Sequence, residues 1–530
     1  MKRLFRIALV TAVVLCLALS VAAADLAVKS LERPERSFDR AEHFRQMASL
    51  QQQLREAAVD LSAVEPLEVV VTRAELDGIR EDRAMERKLR VGLVRELSIP
   101  IDFSRERITP GRIARHEILG AVRGRADGGF DWSGVIRSQS ATASRIHFTG
   151  VDLPEGAALY VYTREGMAFG PYTGRGPNGT GEFWSNTVAG GEVTIQLHAA
   201  GGAPRFTIAG FGHLTDDFRL GQNLKPVANA GSVPCSFNAG CVVDAACVSA
   251  NAAVNVAEDA VAHMLFASGA YLYICSGGLV ADSDTSSNVP YFITANHCIS
   301  RASEASSLET FFFYRAPSCG SCPDPGAAST TGSAIVSTNK TGDYTLLRLS
   351  QNAPAGAAFL GWSSAAVATV NNTALYRLSH PKGAPQSYSA HVVDTTKGTC
   401  RSWPRGSWIY SRDVLGATEG GSSGSPVVNA AGQLVGQLSG GCGYNVNDVC
   451  DTTSNATVDG AFASYYSAVS QFLGSGSGGG GCTDADGDGF CATQGDCNDN
   501  NNKIYPGAND TKGGPGRDGV DNDCDGTPDA

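Results

Sequence analysis

The 530-residue chain reads as mainly β, and two observations lead there. From Gly92 onward apolar and polar residues alternate in short runs such as Ala158-Leu-Tyr-Val-Tyr162 and Val193-Thr-Ile-Gln-Leu197, the period of strands that bury one face. Glycine punctuates these runs, as turns between strands require. Helical spacing shows in a charged stretch over residues 38–61 and again at residues 461–473. In the latter, Phe462, Tyr465, Tyr466, Val469 and Phe472 fall three and four apart. Alternation alone leaves open whether the sheets close into barrels or pack as a sandwich.

Taken in order, residues 1–24 read as a secretory signal. Lys2, Arg3 and Arg6 precede an apolar run over residues 7–19, and Val21-Ala-Ala-Ala24 offers small residues for cleavage. The run is short for a membrane span, which argues against a stable anchor. Leu15 is too bulky for Cys16 to be a lipid-attachment site. Removing the signal with Cys16 leaves 14 of the 15 cysteines, ten between Cys235 and Cys450 and four in the tail. Clustered cysteines in an exported chain imply disulfides. The net charge of −11 argues against nucleic acid as a partner. Residues 25–230 hold no cysteine and read as the charged helix followed by an antiparallel β-sandwich. Residues 231–473 alternate short strands and loops, as two packed six-stranded β-barrels would, the helical stretch 461–473 is expected to close the domain against the second barrel, and residues 474–481 are a Gly/Ser linker.

The chemistry concentrates in Gly421-Ser-Ser-Gly-Ser-Pro426. Small residues leave room for a substrate carbonyl; Ser423 supplies a hydroxyl, and the N–H groups of Gly421 and Ser423 an oxyanion hole. A Gly/Ser turn alone would be bland. Two distant segments supply the missing partners: Tyr291-Phe-Ile-Thr-Ala-Asn-His297-Cys298, an apolar run ending in a histidine, and Thr341-Gly-Asp343-Tyr-Thr-Leu-Leu, an acid leading into a strand. Serine attack at neutral pH needs a base, and the base needs a carboxylate to fix its tautomer. The chain order His297, Asp343, Ser423 is that of chymotrypsin and differs from subtilisin and the α/β-hydrolases.

With Cys275-Ser-Gly-Gly-Leu-Val280, Leu378-Ser-His-Pro381 and Leu434-Val-Gly-Gln-Leu-Ser-Gly-Gly441 falling between and after these segments, residues 231–473 resemble a chymotrypsin-clan serine protease. Within that clan they are most similar to the bacterial lysyl endopeptidases. The resemblance implies a chymotrypsin-like double β-barrel and pairs Cys275–Cys298 and Cys235–Cys442. It also implies that residues 25–230 are a propeptide, an intramolecular inhibitor cut off between residues 220 and 235. Lys225 is followed by Pro226, which would obstruct cleavage at that lysine. The competing reading of residues 25–230 is a retained binding module. The resemblance assigns Glu419, Ser439, Gly440 and Asp459 to substrate binding, with Asp459 nearest the family's principal acid and Asp448 and Asp451 competing. Ser439 departs from the histidine that lysine specialists carry, and Trp403 or Trp408 stands for the accompanying tryptophan. Cleavage after Lys or Arg is expected, Lys weakly favoured. Ser422 replaces the acid by which mammalian zymogens pair a new N-terminus, so activation is expected to follow propeptide removal alone. His380 and His391 are expected to be structural.

Residues 482–530 form an acidic tail. Asp484, Asp486 and Asp488 before Gly489, and Asp521, Asp523 and Asp525 before Gly526, repeat a pattern whose alternate carboxylates converge on a hard cation. Gly495 stands where an EF-hand would carry its glutamate. The segment between the copies resembles the calcium-binding repeats of thrombospondin type 3, so structural Ca2+ is expected. Zinc on Cys482, Cys491, Cys497 and Cys524, and an unstructured spacer, are the alternatives. The expectation is a secreted serine endopeptidase acting on proteins or peptides without a catalytic cofactor; the alternative is a silent adhesion protein on a protease fold.

Overall fold

The computed structural model describes residues 26–474, apart from residues 33–37, 63, 82–87, 165, 219–234, 236–237, 249–250, 285, 324–325 and 401–402, together with residues 497, 498, 500, 501, 503 and 504. The signal segment, the expected propeptide junction except for Cys235, and every tail carboxylate assigned to calcium lie outside the described residues.

Residues 231–473 build two β-barrels. In the first, Val261–Ser268, Tyr271–Leu279, Tyr291–Thr294, Tyr344–Leu349 and Ser333–Asn339 pair in succession. Gly332 joins Ser333–Asn339 to Ala328–Thr331, which pairs with Glu309–Phe312 and through it with Val261–Ser268, closing the ring. The second barrel is a closed ring of Ala374–Ser379, Ser387–Val393, Trp408–Leu415, Asn455–Ala461, Leu434–Gly443 and Pro426–Val428. Closure removes the unpaired edges that an open sheet would expose. Each barrel is filled from its inward-facing residues, the first by Met264, Phe266, Phe292, Phe312 and Leu347, the second by Leu375, Val393, Ile409, Val427 and Val435. The helix Phe462–Leu473 packs Phe462, Tyr465, Val469 and Phe472 against Tyr291, Ile293 and Leu346 of the first barrel and Leu434 of the second. It therefore straddles the junction rather than covering the second barrel alone.

The N-terminal region contains the helix Arg40–Ala57, capped by Asp39, whose Oδ1 accepts the Glu42 N–H at 2.8 Å. Two sheets follow. One orders Ile113–Arg115, Ala121–Gly124, Phe130–Arg137, Glu192–Ala199, Ala157–Tyr162 and Ala168–Tyr172. The other pairs Ala143–Asp152, Arg205–Leu214 and Leu89–Asp102. Trp132, Ile136, Phe148, Ile195, Phe206 and Phe211 fill the space between them, each buried large side chain contributing about 2–3 kcal/mol. The second sheet does not end there. Leu89, Arg90, Gly92 and Leu93 pair with Ile274, Tyr273, Leu272 and Tyr271, so it runs on into the first barrel. Ala27 and Val28 likewise pair with Ser363 and Trp362. A fully buried Arg145–Glu309 pair at 3.3 Å crosses the interface, Glu309 also accepting the Thr187 N–H.

Five disulfides are described: Cys235–Cys322, Cys241–Cys450, Cys247–Cys319, Cys275–Cys298 and Cys400–Cys442. The Cys235–Cys442 pairing is thus corrected. Cys442 ends its strand against Trp403, Trp408 and Tyr410, and the loop carrying Cys400 folds onto the same cluster, with a Cα–Cα distance of 5.9 Å.

Candidate active site

The strand Tyr291–Thr294 is buried on both faces between Tyr271–Leu279 and Tyr344–Leu349. It delivers His297 onto a short turn that the Cys275–Cys298 disulfide ties to the neighbouring strand. Asp343 meets it there. Its Oδ1 accepts the His297 backbone N–H at 2.9 Å, and its Oδ2 lies 2.8 Å from His297 Nδ1. Both side chains are nearly buried, 8% and 3% exposed, so the pair is shielded from competing water. A carboxylate only accepts hydrogen bonds, so Nδ1 carries the proton and Nε2 is left as the basic nitrogen. Nε2 is buried and has no hydrogen-bond partner among the described residues.

Asp343 holds a left-handed backbone with φ of 50°, uncommon for a residue other than glycine. The second barrel braces it. Gln437 Nε2 donates to the carbonyls of Gly342 and Asp343, both at 3.0 Å, and Tyr465 OH donates to Gln437 Oε1. Tyr465 also stacks on Tyr344, centroids 4.0 Å apart.

The loop around Ser423 shows why small residues crowd it. Gly424 has φ of 80°, and a Cβ there would collide with Thr294 Oγ1 and lie 2.8 Å from the Ala295 amide N. The loop thus packs on the segment that carries His297. The Ser423 carbonyl accepts the Ser276 N–H at 2.8 Å, and Ser276 Oγ donates to the Gly421 carbonyl at 2.9 Å. The Gly420 carbonyl is turned inward to the Lys382 N–H at 2.6 Å, and the Ser422 carbonyl to the Ser425 N–H at 3.0 Å. In a trans peptide the N–H points opposite its carbonyl, so those of Gly421 and Ser423 are turned away from these inward bonds. Ser422 is buried and its Oγ accepts from Ser379 Oγ at 3.0 Å.

The residues expected to receive a basic side chain are placed differently. The carboxylate of Glu419, 6% exposed, is 2.7 Å from Lys382 Nζ and accepts the Asn238 amide at 2.7 Å. It fastens the segment at residues 238–239 to the loop that carries Ser423. Asp459 lies opposite Leu438 and faces the barrel interior, where Arg377 Nη2 meets it at 2.5 Å, both side chains fully buried. Arg377 occupies Asp459 Oδ1, while Asp459 Oδ2 is buried with no hydrogen-bond partner among the described residues. Ser439 is buried at a bulge between Leu438 and Gly440, and Gly440 pairs with Val458 across the ladder. Asp448 and Asp451 cap turns of an exposed loop, accepting the N–H groups of Cys450 and of Thr453 and Ser454. Trp403 and Trp408 stack, centroids 4.9 Å apart. His380 is fully buried with Nδ1 on the Ala384 carbonyl at 2.9 Å, and burial pushes its pKa down to about 4. His391 lies between Ser389 and Asp413 inside the second barrel. Sequence reasoning gave no role at the site to Ser276, Gln437 or Tyr465, although Ser276 and Gln437 lie inside the motifs at residues 275–280 and 434–441 and Tyr465 lies on the apolar face of the stretch 461–473. Among the described residues no cluster of three metal-ligating side chains occurs, and no helix is long and apolar enough to cross a membrane.

The N-terminal region reaches this site. Leu89 lies beside Gly420, where a Cβ would be 3.7 Å from Leu89 Cβ. Lys88 Nζ sits 3.2 Å from Glu304 Oε1 and over the Tyr273 ring.

Residues 237–459 match the family model of the lysyl endopeptidase C-terminal domain. The chain is 27% identical over 367 residues to a lysyl endopeptidase of Pseudomonas aeruginosa, covering 66% of this chain and 76% of the relative. It is 25% identical over 329 residues to the secreted RxLR effector protein 73 of Plasmopara viticola, covering 58% and 77%. Among solved structures it is similar to an HtrA-type protease, AlgW, with a tripeptide, at a TM-score of 0.30 and 15% identity, covering 42% of this chain and 62% of that one. A second is the Rv3671c protease of M. tuberculosis, at a TM-score of 0.29 and 16% identity, covering 48% and 96%. Residues 237–459 are thus similar to the C-terminal domain of the lysyl endopeptidases, and the chain is a serine-type endopeptidase.

Proposed function

We propose that the chain is a secreted endopeptidase, made as a proenzyme, that cleaves after basic residues with His297, Asp343 and Ser423 as its triad. The observation that carries this is the two-point grip of Asp343 on His297, backbone and ring together, beside a nucleophile loop packed on Thr294 and Ala295. Ser423 Oγ attacks the scissile carbonyl carbon while His297 Nε2 takes its proton. The oxyanion is held by the N–H groups of Gly421 and Ser423. The imidazolium then returns the proton to the departing amine, leaving an acyl-enzyme. Water, deprotonated by the same nitrogen, releases the acid and restores the serine. The preference for a basic residue is supported by the Pseudomonas relative, which is by name a lysyl endopeptidase.

The reading of residues 25–230 as an inhibitory propeptide is supported by the strand Leu89–Asp102. It adds to the barrel edge at Ile274 and sets Leu89 against Gly420, beside the proposed oxyanion loop. The tail is proposed to bind Ca2+ through Asp484, Asp486, Asp488, Asp521, Asp523 and Asp525, on the sequence repeat alone. Purified secreted protein tests the reading. Burst hydrolysis of a peptidyl-lysine ester by a species whose N-terminus lies near residues 220–235 is expected. No hydrolysis overturns the enzyme assignment, and an active species beginning near Asp25 overturns the proenzyme assignment.

A further inference from the structure

The segment at residues 88–93 leaves the catalytic loop with the polarity of a substrate's departing half. Leu89 pairs with Ile274 beside Gly420, whereas Leu93 pairs with Tyr271 at the far end of the same edge. Ile274 leads into Cys275, tied to Cys298 next to His297, and into Ser276, which donates to the Ser423 and Gly421 carbonyls. The segment therefore runs away from Ser423 as its residue numbers rise. In a bound substrate the acyl half runs towards the nucleophile and the amine half away from it, so residues 88–93 have the direction of the amine half. Backbone pairing of this kind accepts any extended peptide, and selectivity rests with the side chains.

Two of those side chains are basic and lie over aromatic rings of the first barrel. Lys88 Nζ is 4.6 Å from the centre of Tyr273 and 5.3 Å from that of Phe266, and the Arg90 guanidinium carbon is 3.7 Å from that of Tyr271. Lys88 Nζ also donates to Ser268 Oγ and Glu304 Oε1, both at 3.2 Å. Glu304 is built into the barrel, its side chain 2% exposed. Its Oε2 accepts the N–H groups of Ser300 at 2.8 Å and Arg301 at 3.2 Å, and its Oε1 accepts the Ser268 hydroxyl at 2.6 Å. Arg301 Nη2 reaches Oε1 at 2.9 Å from a side chain that is 65% exposed, where water and salt screen it. Burial would raise the Glu304 pKa, but hydrogen bonds from Ser268, Ser300 and Arg301, with the Lys88 charge, bring it down to about 2. A fixed carboxylate beside two ring faces is a site for a cation.

We propose that Glu304, Tyr273 and Phe266 form a site for a basic side chain on the amine side of the scissile bond, filled by Lys88 in the proenzyme and by a lysine or arginine of the substrate in the processed enzyme. This rests on the triad and proenzyme readings above. The site belongs to the first barrel and is separate from whatever receives the residue before the cut. With both in use, the enzyme favours extended polypeptide that carries basic residues on either side of the bond it breaks.

A lysine after the scissile bond of a peptide substrate would itself be cut, so the test is acyl transfer. Secreted enzyme beginning at residues 220–235 is acylated with a peptidyl-lysine ester, and the acyl-enzyme is partitioned between water and an added lysyl-, norleucyl- or glutamyl-leucinamide. The free amine attacks the acyl carbonyl and gives a proton to His297 Nε2. Ser423 Oγ leaves and takes that proton as the new peptide bond forms. Initial transfer to lysyl-leucinamide is expected to exceed transfer to norleucyl-leucinamide about 10-fold, with glutamyl-leucinamide below both. In Glu304→Gln that lysyl-to-norleucyl ratio is expected to fall about fivefold or more. A wild-type ratio below about twofold, or a folded Glu304→Gln whose ratio stays within about twofold of wild type, overturns the proposal. If Glu304→Gln does not fold, Tyr273→Leu replaces it, with an expected fall of about threefold, and an unchanged ratio overturns the proposal instead. Wild-type enzyme that cannot be acylated removes the triad reading and this site with it. An active enzyme still beginning near Asp25 removes the proenzyme reading and the site, because the edge is then covered. Equal partition in an acylated, processed enzyme removes this site alone.

Discussion

Replacing Asp343 by asparagine changes one atom and, by the geometry here, reverses the imidazole. The aspartate presents one oxygen to the His297 backbone N–H and the other to Nδ1. Asparagine has one oxygen and one NH2, and a backbone amide can only donate. The oxygen must therefore face the backbone N–H, which turns the NH2 towards Nδ1 and makes that nitrogen an acceptor. The ring then carries its proton on Nε2 and cannot take one from Ser423. The expected loss in kcat is about 10⁴-fold, equivalent to about 5.5 kcal/mol of transition-state stabilisation. The assay is steady-state turnover of a peptidyl-lysine ester by enzyme whose fold is checked by its near-ultraviolet circular dichroism. KM should move little, because Asp343 does not reach the substrate. A folded Asp343→Asn enzyme that keeps more than a tenth of wild-type kcat would refute this reasoning.

Three further outcomes follow from the surroundings of the site. Gln437→Leu removes both bonds to the Gly342 and Asp343 carbonyls and should lower kcat about 10-fold or more with KM nearly constant; a KM effect alone would contradict that bracing role. Removing the Cys275–Cys298 bridge, which spans 23 residues of sequence, should cost about 3 kcal/mol, read as a lower urea midpoint, and an unchanged midpoint would contradict it. Burial pushes His380 down to about 4, below the ordinary histidine value of about 6.5. The unfolded chain then binds the proton first, so the stability His380 contributes is intact above about pH 6.5 and is lost as pH falls towards 4, by about 3 kcal/mol. Urea midpoints at about pH 7.5 and 4.5 check the sign, and a midpoint no lower at pH 4.5 would contradict it.

The parts of this protein that local sequence could reveal are those whose constraint is local. The loop at Gly421–Ser425 had to be small because Gly424 abuts Thr294, and that demand is written in the residues themselves. The alternation at residues 158–162 and 193–197 became strands of the same N-terminal sheet. What stayed hidden depends on which strands become neighbours. Barrel closure placed Arg377 on Asp459 Oδ1 from 82 residues away, a partner that the sequence around Asp459 does not announce. Asp413 joins Thr457, 44 residues on, and His391, 22 residues back, through pairings that neither neighbourhood announces. The pairing of Cys442 with Cys400 instead of Cys235 has the same origin, since it follows the packing around Trp403 and Trp408. The merging of the N-terminal sheet with the first barrel at Leu89–Leu93 is an edge contact, and edges are set by what remains unpaired after folding.

Mass mapping after reaction with a fluorophosphonate bears most directly on the catalytic assignment. A single adduct on the Ser423 peptide, abolished in His297→Ala, is the result this account requires. Folded protein that takes up no adduct, or takes it up on another serine, would contradict it.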